Sequence, residues 1–284
     1  MRLFVLCLGM LLLAGCSKDD SEGERCRLIK TISGSYSNSD YKQSRICRYD
    51  FAYDGQERVV SLSYTGHLYI YGEGFIHAKY TYEVEYNGTN PVVTLHTESP
   101  VIITYEGEVI PYEGLPEKET LPLAFDSQGN ITSITGRELW FHTHNTRLSY
   151  QGGKLAGIDE SDDSYYKSVI GVTWDDENLV SQTYTSGEGK SAFTQSRSFR
   201  YADSGNDNSV DLNWLIMDLG LGYQNSLSRL GLIGLLGERS GKLIGSLTET
   251  DGSPVSISYT MEDNTIQNIR WESIGDTYLY SITY

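Results

Sequence analysis

The sequence predicts an all-β body: an antiparallel meander of repeated hairpins forming a curved or barrel-like sheet, with one buried helical insertion near residues 211–237. Three observations predict it. Aromatic and β-branched residues alternate with polar ones over short segments. Asp, Asn and Gly separate those segments at regular intervals. The 22 tyrosines suit a pleated surface, where flat and branched side chains pack well against cross-strand neighbours.

The hairpin units can be read in order. Phe51-Ala52-Tyr53 leads through Asp54-Gly55 to Val59–Tyr64. Tyr82–Tyr86 leads through Asn87-Gly88 to Val92–Leu95. Leu123–Phe125 leads through Asp126–Asn130 to Ile131–Ile134, and Leu148–Tyr150 through Gly152-Gly153 to Leu155–Ile158. Val172–Trp174 passes Asp175-Asp176 to Leu179-Val180, and Ile257–Tyr259 passes Asp263-Asn264 to Ile266–Ile269. Both arms of each unit have a period of two, the signature of a half-buried strand. The residues between supply positive φ angles or side-chain bonds to the backbone, as tight hairpin turns require.

One segment breaks the period. From Asp211 to Gly237 the chain is apolar nearly all round, with Leu227, Leu230, Ile233 or Gly234, and Leu236 or Gly237 at roughly helical spacing. Asp211 or Asn213 can cap a helix start. A helix without a polar face is buried, so this insertion is expected to plug the curved sheet.

The N-terminus has a different character. Arg2 is followed by an apolar run from Leu3 to Leu13, then Leu13-Ala14-Gly15-Cys16 and the polar Ser17-Lys18-Asp19-Asp20. The run has the length of a signal-peptide core and is short of the roughly 20 residues that span a bilayer. Leu-Ala-Gly-Cys resembles the lipobox of bacterial lipoproteins. That resemblance implies a diacylglyceryl group on the Cys16 sulfur and cleavage before it. The chain then divides into a signal peptide (1–15), a lipidated cysteine with an acidic tether (16–25) and one β domain (26–284). The acidic tether looks like that of surface-exposed lipoproteins in Bacteroidetes-type bacteria, which implies the outer membrane with the body facing the cell exterior; the alternative is its periplasmic face.

Charge and cysteine content bound the partners. The net charge is −16, and loss of Arg2 with the signal makes it one unit more negative. Such a surface repels phosphate backbones, so nucleic acid is excluded as a partner. The membrane is met through the N-terminal lipid, and a glycan or protein partner is expected at the cell surface. Cys7 leaves with the signal and Cys16 takes lipid, so Cys26 and Cys47 remain as a candidate disulfide in an oxidising compartment.

No constellation for catalysis stands out. The chain has no Gly-x-Ser-x-Gly, no phosphate-cradling loop and no His-Glu-x-x-His, and no enzyme, cofactor or metal is expected. His142 and His144 would share a strand face, with His67, His77 and His96 distant in sequence. The acidic runs at 159–163, 175–177 and 203–208 lack calcium-loop spacing and read as solvated hairpin tips. Tyr69, Tyr71, Tyr80, Tyr82, Trp140, Tyr165 and Tyr166 form a candidate platform for stacking sugar rings. Three functions remain: a non-catalytic binding or structural lipoprotein, a glycan-binding accessory protein using those aromatics, and, as a third class, a hydrolase with a carboxylate pair.

Lipobox, acidic tether, repeated Tyr-Asp hairpins and the Asp211-Leu212-Asn213 insertion together resemble Bacteroidetes lipoproteins with a domain of porin-like fold and unknown function. The resemblance covers about residues 26–284. It implies a curved, barrel-like antiparallel sheet and carries over no catalytic residues. The cysteine pair near the start departs from it.

Overall fold

The computed structural model describes residues 28–38, 43–70, 74–104, 107–112, 116–137, 143–161, 167–187, 192–217, 225–273 and 276–284. Among the described residues, eighteen strands form one antiparallel sheet. They are β1 (Thr31–Asn38), β2 (Gln43–Tyr53), β3 (Val59–Ile70), β4 (Gly74–Glu85), β5 (Val92–Thr104), β6 (Val109–Pro111), β7 (Lys118–Thr120), β8 (Leu123–Phe125) and β9 (Ile131–Arg137). After these come β10 (Thr143–Gln151), β11 (Lys154–Ser161), β12 (Lys167–Trp174), β13 (Leu179–Ser186), β14 (Phe193–Gly205), β15 (Lys242–Thr248), β16 (Pro254–Glu262), β17 (Thr265–Ser273) and β18 (Asp276–Thr283). Two short helices, α1 (Asn213–Ile216) and α2 (Asn225–Leu232), lie between β14 and β15.

The sheet curls until β18 pairs back onto β1, from Thr31 opposite Thr283 to Asn38 opposite Asp276. Among the described residues β5 and β9 share no ladder. The extended segment 118–125 bridges that step, with β7 paired to β5 and β8 paired to β9. Leu121 N–H donates to Val93 O at 2.8 Å and Thr135 N–H to Pro122 O at 3.2 Å. The architecture is barrel-like, with one stitched seam.

All six hairpins read from the sequence are present, and their turns lie at the same end of the sheet. Two of them share one side-chain geometry. Asp54 Oδ1 accepts the N–H groups of Gln56 (2.8 Å) and Arg58 (3.0 Å); Asp126 Oδ1 accepts those of Gln128 (2.8 Å) and Asn130 (3.0 Å). Side-chain bonds from Arg58 to Asp54 and from Asn130 to Asp126 add to these, and both carboxyls are held below their ordinary range. The aromatic residues near the turns have a second task. Each donates to a backbone carbonyl near the start of the preceding strand, from two residues before it to two after: Tyr53 to Ile29 (2.7 Å), Tyr86 to Val59 (3.1 Å), Trp174 to Leu155 (2.7 Å), Tyr201 to Leu179, Tyr259 to Ile244 (2.6 Å) and Tyr284 to Ile266 (3.2 Å). The repeated aromatic-plus-Asp pattern is therefore a clasp and a turn, one pair of strands at a time.

The two faces of the sheet differ sharply. Ile32, Leu62, Tyr82, Val93, Ile158, Ile170 and Ile269 point inward and are almost fully buried. Alternate positions point outward and are polar: Ser33, Ser35, Arg48, Glu83, Arg147, Asp159, Arg200, Ser258, Arg270 and Ser281 are at least partly exposed. Ile46, Val92, Val109, Ile110, Val169, Phe193, Met261 and Leu279 are exposed apolar exceptions. A barrel that spans lipid shows the reverse order, apolar outside and polar within. The helices fill the space inside. Leu212, Trp214, Leu215, Leu227, Leu230 and Leu232 join the strand residues in one core, although α2 also carries the polar Asn225, Ser226, Ser228 and Arg229 rather than being apolar all round. Gly231 is needed there because a Cβ would collide with the Trp214 indole lying across α2. No helix among the described residues is long and apolar enough to cross a membrane.

Candidate functional site

Two buried charges stand out in this interior, both carried by the insertion. The first is Asp211. Its backbone N–H bonds Leu232 O at 2.9 Å, tying the start of the insertion to the end of α2. Its Oδ1 accepts from Asn206 Nδ2 at 2.8 Å and from Asn213 N–H at 3.2 Å; the N-cap of α1 is Leu212, without a side-chain cap, so neither Asp211 nor Asn213 is the capping residue. Asn213 continues the network by acting as a substitute strand: it donates to Lys242 O (2.9 Å) and accepts from Ile244 N–H (2.9 Å). Asn206 also donates to Ser240 O at 3.1 Å. Burial pushes the Asp211 carboxyl up to about 6, against the pull of Asn206 and Arg239. A cavity of about 20 Å³ beside it, lined by Asp211, Trp174, Trp214 and Ser240 among others, has room for one water.

The second charge is Arg229, on the inward face of α2 and 4% exposed. Its guanidinium lies 4.0 Å over the Tyr64 ring, with Tyr80 at 5.2 Å and Tyr82 at 5.7 Å. Nη1 donates to Tyr82 Oη at 2.9 Å. Arg229 forms no ion pair among the described residues. Burial opposes its charge, while the hydroxyls of Tyr82, Tyr64 and Tyr49 favour it, and the net direction is upward. An uncompensated buried charge costs several kcal/mol. Desolvated cation–π contact contributes about 2 kcal/mol and one hydrogen bond to a charged group about 1.5–3 kcal/mol. The tyrosines thus offset much of the cost without supplying a counter-charge.

The strands explain why so many rings meet here. Tyr49, Tyr64 and Tyr80 are register partners across β2, β3 and β4. The next inward row is small: Gly34, Cys47, Gly66 and Ala78 face one another across β1 to β4. The rings lean over that row, and a Cβ at Gly34 would strike the Cys47 sulfur and the Tyr280 ring. Tyr49 and Tyr64 sit 4.9 Å apart, and Tyr64 and Tyr80 6.4 Å apart. The wall continues through Trp271, stacked on Tyr278 at 4.8 Å and 9° and on Tyr280 at 5.4 Å, to Tyr36 at 5.0 Å from Tyr278. Burial holds the Tyr49 phenol well above its ordinary range and pushes the Cys47 thiol up to about 11.

Of the residues singled out by sequence, Tyr80, Tyr82 and Glu160 are placed differently from expectation, and most of the others lie outside the described residues. Tyr80 and Tyr82 are 3% and 0% exposed, so they are not part of an exposed sugar platform; their strand positions face the plug, and Arg229 occupies their ring faces. Tyr69 lies on β3, its side chain outside the description, and Tyr71, Trp140, Tyr165 and Tyr166 lie outside the described residues. Cys47 carries a free thiol; Cys26 lies outside the described residues, as do Cys16 and the whole tether. His67 and His77 are register partners on β3 and β4, while His142 lies outside the described residues. No cluster of three metal-ligating side chains occurs among the described residues. Glu160, read as part of a solvated tip, is 2% exposed and accepts a bond from Ser168 Oγ at 2.8 Å, because the alternation of β11 turns it inward.

Arg229 was missed from the sequence. The signal was partial: Arg229 is the one basic residue of an insertion expected to be buried.

Comparison with solved structures supports the fold. The chain is similar to a porin-like protein from Bacteroides uniformis, with a TM-score of 0.57 and 16% identity, covering 91% of this chain and 98% of that one. It is similar also to a porin-like protein from Bacteroides vulgatus, with a TM-score of 0.55 and 12% identity, covering 91% and 99%. No protein-family model and no curated protein matches the sequence.

Proposed function

We propose that this chain is a lipid-anchored outer-membrane lipoprotein, facing the cell exterior, whose β body has a non-catalytic binding role. The observation that carries the proposal is the polarity of the sheet: the outward positions are mainly Ser, Thr and charged residues, with a few apolar exceptions, while the inward positions form one largely apolar core that α1 and α2 join. A body of that polarity belongs in water. It then needs a separate device to stay at a membrane, which the Leu13-Ala14-Gly15-Cys16 motif supplies. Two or more acyl chains on Cys16 give stable attachment, whereas one is marginal. The porin-like proteins of Bacteroides share the fold, and the word porin-like is taken here as architecture alone.

Labelled palmitate fed to cells expressing the full chain tests the anchor, and protease added to intact cells tests the facing. Wild type should incorporate label and be cleaved from outside, and Cys16→Ser should take up none. Label retained in Cys16→Ser overturns the anchor, and complete protection of the wild type on intact cells overturns the surface facing.

A further inference from the structure

Arg229 holds a charge that nothing around it neutralises. A guanidinium keeps its proton at any working pH and has five N–H donors. One of them meets Tyr82 Oη; the others have no hydrogen-bond acceptor among the described residues, and no carboxylate there lies within ion-pair distance. The neighbours Tyr49, Tyr64, Tyr80 and Tyr82 are phenols, neutral at pH 7, and the Cys47 thiol beside them is kept neutral by burial. Asp211, on the same insertion, shows what a locally satisfied buried charge looks like in this protein.

The rest of this half of the interior is built of ring faces and polar groups. Tyr36, Tyr49, Tyr278 and Tyr280 are half-buried, in contrast to the fully buried aliphatic wall against the plug. Tyr36 and Tyr278 stand within two positions of the ends of β1 and β18, at the end of the sheet opposite the tight Asp turns. On another wall Gln182 is buried with no partner for its Oε1.

We infer that Arg229 anchors a ligand site in the tyrosine-lined half of the interior, and that the ligand is a small cyclic organic acid. Its carboxylate pairs with the guanidinium, where two parallel N–H···O bonds are the favoured geometry. Its ring lies against Tyr or Trp faces, which bind sugar rings and aromatic rings alike. The inference rests on the binding role proposed above, but its test is independent of the anchor: failure here leaves the palmitate result untouched.

The test uses detergent-solubilised full-length protein and matched probes at equal ionic strength: glucuronate against glucose, and benzoate against benzyl alcohol. Thermal unfolding and calorimetric titration are the readouts. At least one acid should raise the unfolding midpoint and give a measurable Kd while its neutral partner does neither. A response to glucuronate alone assigns an acidic sugar, and one to benzoate alone an aromatic acid. Arg229→Met should abolish the response, and Tyr82→Phe, which releases Nη1 from its one bond, should change the Kd by about tenfold or more. If neither acid exceeds its neutral partner, the tyrosine faces alone hold the charge and the inference is wrong. It is equally wrong if the response persists in a folded Arg229→Met. Should that variant fail to fold, the wild-type pairs and Tyr82→Phe decide the matter.

Discussion

Asp211 and Arg229 are both buried, both charged and both carried by the same helical insertion, yet they are treated oppositely. Asp211 sits among donors that match it: Asn206 and the Asn213 N–H reach its Oδ1, and Arg239 adds a favourable field. Those neighbours tie the insertion to Ser240, Lys242 and Ile244. Arg229 sits among ring faces with a single hydroxyl for its donors. A charge whose partners all belong to the fold is a fastening. A charge given only π faces and one phenol is stable enough to persist and still short of an anion. The pair therefore separates the structural end of the plug from the end proposed to bind.

The largest expected effect comes from removing what holds both charges in place. Trp214 is 9% exposed and lies across Gly231 in α2. Trp214→Ala should cost about 3–5 kcal/mol, read as a lower midpoint in urea unfolding with no change in slope. It should also weaken any response to an organic acid, because α2 loses its support. Unchanged stability would mean that the insertion is not the keystone of the core.

A smaller effect isolates Asp211. Its folded value of about 6 lies above the ordinary carboxyl value, so the folded state binds the extra proton. The stability this contributes is fully present below the unfolded value near 4 and is lost as pH rises through 6. Wild type should therefore gain stability as pH falls from 6 toward 4, and Asp211→Asn should lack that gain. The amide keeps an Oδ1 for Asn206 and for the Asn213 N–H while removing the cost of a buried carboxylate. At pH 7 the variant should be more stable by at most about 3 kcal/mol. A pH profile identical to that of wild type would show that the carboxyl titrates as if in water.

Six tight turns at one end of the sheet were legible in the sequence, for a physical reason. Tight turns need Asp, Asn or Gly at fixed offsets, so 54–55, 87–88, 126–130, 152–153, 175–176 and 263–264 announced six hairpins, all of them found. At the opposite end the Asp251-Gly252 turn between β15 and β16 has the same chemistry and was not taken up, with Asp251 Oδ1 accepting Ser253 N–H at 2.8 Å and Gly252 at positive φ, whereas strands such as β1 and β6 have no comparable signal. The return of β18 onto β1 and the seam at 118–125 depend on curvature, which no local pattern encodes. The insertion was visible as a break in period. Its one arginine was passed over because attention to aromatics assumed an exposed platform. The alternation that placed Tyr80 and Tyr82 on one face did not say which face was inside; the buried partner α2 decided it.

The central claim is that this β body is dissolved in water and reaches a membrane only through lipid on Cys16. Membrane fractionation with a carbonate wash tests it most directly, comparing wild type with Cys16→Ser in the cell. Wild type should stay in the washed membrane pellet, and Cys16→Ser should leave it for the soluble fraction or remain as an unprocessed precursor. A processed Cys16→Ser protein that stays in the washed membrane would mean that the strands themselves sit in lipid, contradicting the polarity read from the outward face.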